Sequence, residues 1–182
     1  MKNKSSLKNK YRVSVTQMVS SANIQDNVNQ ANSLLAEILS TERALAERVK
    51  GSSIDLVVFP ENFLCFGSNN IVESAKEIQQ YIPEFCQFAK THAVNIVLGT
   101  IPFYDQQGSE FAKVTSRSLV INREGLLISY YDKIHLFDVD VGGVHGEYRE
   151  SDNYIAGDSI NVTALDELKL GLSICYDVRF PE

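Results

Sequence analysis

The chain has 182 residues, 44% hydrophobic and 22% charged, which suits one globular domain with a buried core and leaves little room for extensive disorder. A formal charge of −6 argues against a nucleic-acid or anionic-membrane binder, because neutralising a phosphate surface takes clustered Lys and Arg. No window holds the roughly 18 apolar residues of a membrane-spanning helix, and Met1–Lys10 reads as a polar, Lys-rich tail lacking a signal-peptide core. Cys65, Cys86 and Cys175 form an odd set at irregular spacing. They fit neither a disulfide framework nor paired zinc knuckles and point to a reducing, cytoplasmic setting.

In chain order, Tyr11–Val19 carries Val13, Val15 and Val19 and predicts an opening strand. Asp26 is expected to cap a long amphipathic helix from Asn27 to about Val49, built on Val28, Ala31, Leu34, Leu35 and Ile38 and ended by Gly51. Ile54–Phe59 is a nearly continuous apolar run, the pattern of a strand buried on both faces, and it stops at Pro60. A second helix is expected over Ile71–His92 with a break or restart at Pro83, then a buried strand over Val94–Gly99. Val114–Ile121 and Leu126–Tyr131, joined by Asn122–Gly125, predict a hairpin, and Leu168–Ile174 a last buried strand. Helices alternating with strands that then pair in a hairpin predict an α/β fold with a mixed sheet.

Three segments carry reactive side chains. In Phe59-Pro60-Glu61-Asn62 a carboxylate follows a buried strand, where α/β folds place their sites; Glu61 is either a solvated turn residue or a general base. In Tyr131–Phe137, Lys133 sits in an otherwise apolar stretch. It either snorkels to water or supplies a fixed positive charge inside a cavity. His135 beside it is expected to be a hydrogen-bonded structural residue. In Leu172–Asp177, Cys175 stands where a strand meets a turn, as an exposed nucleophile would, although inert buried cysteines are common. Cys65, in an aromatic loop, and Cys86, in a helical pattern, have that inert character.

The strings FPEN, YDKIHLFDVDV followed by YRES, and LSICYDVRFPE resemble, in order and spacing, the three signature regions of the nitrilase superfamily of carbon–nitrogen hydrolases. The versions here are most similar to the branch containing deaminated glutathione amidase and omega-amidase. The resemblance runs from about Tyr11 to Glu182 and implies a nitrilase-like αββα sandwich with mixed sheets. It divides the chain into a tail over 1–10 and a hydrolase domain over 11–182, comparable to the N-terminal two thirds of the family's domain and thus expected to be C-terminally truncated. By motif position it implies a catalytic triad of Glu61, Lys133 and Cys175.

The same resemblance gives Glu150 the task of orienting Lys133 or the substrate amide. A backbone N–H near Tyr176 would assist at the oxyanion, and Arg179 would pair with a carboxylate in the site or the fold. It implies a small carboxylate-bearing amide as substrate, a thioester intermediate, no metal or organic cofactor, no nucleic-acid or membrane partner, and a homodimer in the full-length form. Lys133 is further expected to favour the Cys175 thiolate. Two alternatives stand beside deaminated glutathione as substrate: omega-amidase action on alpha-ketoglutaramate, and an inactive fragment or pseudoenzyme.

Overall fold

In the computed structural model, which describes residues 10–48, 54–105, 114–140 and 147–181, the apolar runs assemble into a five-stranded sheet ordered β1-β2-β3-β4-β5. The strands are β1 (Val13–Val15), β2 (Leu56–Val58), β3 (Asn95–Phe103), β4 (Thr115–Ile121) and β5 (Leu127–Asp132). β1, β2 and β3 pair parallel, whereas β3, β4 and β5 pair antiparallel, so the sheet is mixed.

Helices α1 (Ile24–Arg48), α2 (Ile71–Gln79) and α3 (Ile82–His92) supply one layer. Val28, Ala31 and Leu35 of α1, Ile78 of α2 and Phe85 and Ala89 of α3 share one core with Val57, Ile96, Leu98, Leu119 and Ile121 of the sheet. Phe59, Phe63 and Phe85 interlock at its centre, the first two stacked at 4.6 Å and both edge-on to Phe85 at 5.8 Å. Each such buried ring contributes about 1.5–3 kcal/mol of hydrophobic stabilisation, which anchors the chain on both sides of Glu61. Because side chains alternate along a strand, Leu56, Val97 and Val120 face the other way. They are covered by the antiparallel pair β8 (Val162–Leu165) and β9 (Leu168–Gly171) through Leu165, Leu168, Leu170 and Leu172. A second small ladder joins β6 (Asp138–Asp140) to β7 (Glu147–Arg149).

The break near Pro83 is present: α2 ends at Gln79 and α3 restarts at Ile82 with Pro83 in its first turn, where a missing N–H costs nothing. The β4–β5 hairpin forms as expected, its turn closed by Asn122 and by Gly125 at φ 77°. Three expectations change. Asn23, not Asp26, caps α1, its Oδ1 accepting from the Asp26 N–H at 3.1 Å. The first strand is shorter, and Val13 and Val15 are 46% and 75% exposed, since their register with Leu56 and Val58 turns them to the face that β8 and β9 cover only in part. The last strand is Leu168–Gly171 and is half-buried. Its leucines alternate with Lys169 and Gly171, a period that covers one face of the main sheet and does not enter it. The expected tail over 1–10, apart from Lys10, and the helix stop at Gly51 lie outside the described residues.

Candidate active site

β2 and β5 run in the same direction, so the residues that follow them emerge at one end of the sheet. Glu61 follows β2 across Pro60, and Lys133 follows β5. The Glu61 turn sits unusually close to the neighbouring strand. A Cβ on Gly99 of β3 would lie 1.6 Å from the Phe59 carbonyl oxygen, so only glycine allows this approach. Thr100 N–H donates to the Pro60 carbonyl, and Thr100 Oγ1 accepts from the Asn62 N–H at 2.9 Å. Asn62 takes the left-handed conformation at φ 54°.

Lys133 does not snorkel. Its side chain is 2% exposed, with the strand ladder continued around it by Lys133 N–H to Ser116 O and Gly157 N–H to Lys133 O. Its Nζ donates to Glu150 Oε2 at 2.8 Å, to Glu150 Oε1 at 3.1 Å and to Glu61 Oε1 at 3.1 Å. Burial pulls the ammonium's pKa down, but the two carboxylates outweigh it and the net shift is upward. Lys133 is therefore a fixed positive charge at neutral pH. Glu150, itself buried, also accepts the Phe137 N–H at 2.7 Å, so both of its oxygens are engaged.

Cys175 opens a 3₁₀ turn, Cys175–Arg179, and takes φ 47°, a conformation a side-chain-bearing residue adopts at a cost. The turn presents the thiol outward against Glu61. Partial burial raises the thiol pKa, Glu61 raises it further by its charge and a hydrogen bond, and Lys133 opposes only in part. The expected pull of Lys133 toward the thiolate is present, but burial and the Glu61 charge outweigh it, so the net shift is upward. A cavity of about 270 Å³ adjoins it, lined in part by Val58, Glu61, Val97, Ser118 and Leu170.

The geometry brings Glu61, Lys133, Cys175 and Glu150 together. Tyr176 packs edge-on against Phe137 and Phe180 at 5.0 and 5.3 Å. Arg179 is exposed, and the expected pairing with a carboxylate is not found among the described residues. Sequence reasoning missed Asp177. Its buried carboxylate accepts from Ile174 N–H at 2.9 Å, Tyr131 O–H at 2.7 Å, His135 N–H at 2.9 Å and the His135 ring at 2.8 Å. Burial raises its pKa, these donors lower it, and the net shift is downward. His135, lying flat on Phe180 at 3.8 Å, has the structural character its sequence context predicts.

A mixed α/β sheet that gathers a thiol, two carboxylates and a buried ammonium at one end has the make-up of a thiol-dependent acyl-transfer protein. The comparison with known proteins is more specific, since the carbon–nitrogen hydrolase family model matches residues 12–182. The chain belongs to that family. It is 33% identical over 172 residues to the deaminated glutathione amidase of Yersinia enterocolitica, covering 93% of this chain and 55% of that protein. It is 33% identical over 175 residues to omega-amidase NIT2 of Xenopus tropicalis, covering 95% and 57%. The fold superposes on Saccharomyces cerevisiae Nit3, a branch 10 member of the nitrilase superfamily, with a TM-score of 0.75 at 24% identity over 94% of this chain and 57% of that one. It also superposes on the C. elegans NitFhit protein, with a TM-score of 0.75 at 29% identity over 93% and 39%. The chain thus spans a little over half the length of the curated relatives named here.

Proposed function

We propose that this chain hydrolyses the amide carbon–nitrogen bond of a small carboxylate-bearing amide through a Cys175 thioester. The observation that carries the proposal is the Lys133 ammonium, buried between Glu150 and Glu61, with Glu61 and Cys175 lining one cavity. Glu61 takes the thiol proton as sulfur attacks the amide carbonyl carbon. The oxyanion that develops is stabilised by Lys133 and by the backbone N–H of Tyr176. Collapse breaks the C–N bond as Glu61 returns the proton to nitrogen, releasing ammonia or an amine. Water, deprotonated by the same carboxylate, then attacks the thioester, and the acid leaves as the thiol is restored. No step requires a metal or organic cofactor.

The names of the relatives support deaminated glutathione as first substrate and alpha-ketoglutaramate as second, and a cavity of about 270 Å³ suits a small molecule. The free cysteines and the acidic charge support a cytoplasmic protein. The family resemblance supports a homodimer and a hydrolase domain over 11–182. The test is release of ammonia from alpha-ketoglutaramate, and of the amine fragment from deaminated glutathione, by this chain beside Cys175→Ala. Release that vanishes in the variant bears the proposal out. None from a folded wild-type sample makes this chain a non-catalytic member of the family.

A further inference from the structure

We propose that Asp177 is a positioning residue that sets the separation between the Cys175 sulfur and the Lys133 ammonium, an inference that rests on the function proposed above. A single carboxylate spans the two segments. On one side it accepts from the N–H of Ile174, the residue immediately before Cys175. On the other it accepts from Tyr131 and His135, which stand two residues before and two after Lys133. The three bonds to the lysine segment cross 42 to 46 residues of sequence. Capping the 3₁₀ turn needs only the bond to Ile174, so these three serve to join the nucleophile's turn to the segment that carries Lys133 at the end of β5.

The chemistry of the contacts calls for a carboxylate. Oδ2 accepts from Ile174 N–H and Oδ1 from His135 N–H, and neither backbone donor can reverse its role. An asparagine has the same shape but one oxygen. Whichever way its amide turns, an NH₂ group meets one of these N–H groups donor to donor, and the two segments move apart. The left-handed Cys175 backbone, at φ 47°, is held against relaxation by the same carboxylate through the Ile174 bond.

The test compares wild type, Asp177→Asn and Tyr131→Phe as full chains, by melting, by kcat and KM on alpha-ketoglutaramate, and by the pH midpoint of Cys175 alkylation with iodoacetamide, followed on its own peptide. Asp177→Asn should melt cooperatively, lose about a hundredfold in kcat with KM changed by less than about threefold, and show a higher alkylation midpoint as Lys133 recedes. Tyr131→Phe, which keeps both backbone bonds, should shift the same two readouts by less. A wild-type midpoint with kcat within about twofold of wild type in both variants would overturn the inference. Should Asp177→Asn not fold, Tyr131→Phe decides by the same criteria. Absence of turnover in the wild type counts against the proposed function, while the alkylation midpoints still report the spacing.

Discussion

Glu61 and Glu150 hold the same ammonium at nearly the same distance, yet their surroundings differ. Glu150 is 7% exposed and receives Lys133 and a backbone N–H; Glu61 is 31% exposed, bonds Lys133 and lines a cavity with Cys175. A buried carboxylate with both oxygens bonded is suited to fixing a neighbour, whereas a more accessible one beside a nucleophile is suited to proton transfer. In the proposed mechanism Glu150 therefore orients and Glu61 transfers the proton, although both are glutamates within reach of one lysine.

Removing the group that both sides serve should have the largest effect. Cys175→Ala is expected to lower turnover by about 10⁴-fold or more without loss of folding, whereas Cys86→Ala, in α3 and outside the site, should leave it nearly unchanged; equal losses would contradict the assignment of Cys175. The two glutamates should then separate by readout. Glu61→Gln is expected to cost about 10²–10⁴-fold in kcat with little change in melting temperature. Glu150→Gln should destabilise the fold by about 3–5 kcal/mol, because it strips a buried ammonium of its closest counter-charge. Matching losses of stability in the two variants would erase the distinction.

Gly99→Ala should act on the Glu61 side alone. Its methyl group would meet the Phe59 carbonyl at 1.6 Å, so a loss of about 1–3 kcal/mol is expected, together with a fall in kcat as the Glu61 turn is displaced. A crystal structure of the variant with Glu61 unmoved would break that link. The smallest effect is electrostatic. With its pKa raised above the ordinary range, Cys175 should alkylate slowly at neutral pH and accelerate only as the solution becomes alkaline. Removing the carboxylate charge in Glu61→Gln should lower this midpoint, since Glu61 favours the protonated thiol; a midpoint that rises would show that Glu61 does not act on the thiol directly.

Much of the site could be read from the sequence because each member sits in a local pattern: Glu61 just past a β-branched run, Lys133 just past the hairpin, Cys175 at a strand-to-turn junction. The break at Pro83 and the β4–β5 turn were legible for the same reason, since proline and glycine act on their own backbone. Asp177 was not. Its distant partners Tyr131 and His135 are 46 and 42 residues away, and nothing in its own segment marks it as buried. Gly99 was equally silent, because what forbids a side chain there is the carbonyl of Phe59 on the adjoining strand. The leucines of Leu168–Ile174 read as a central strand, but their alternation served a covering one. A face of a strand is visible in the sequence, whereas the surface it meets is not.

By itself the sequence determined the α/β class, the order of most strands and helices, and the residue types available for chemistry, because propensity and periodicity are properties of neighbours along the chain. Only the tertiary structure decided that Lys133 is buried rather than snorkelled, which glutamate is buried with it and which stays partly open, and that burial and Glu61 push the Cys175 pKa upward. Those outcomes depend on charges and desolvation summed over segments distant in sequence, and only the packed sheet brings them within a few ångströms of one another.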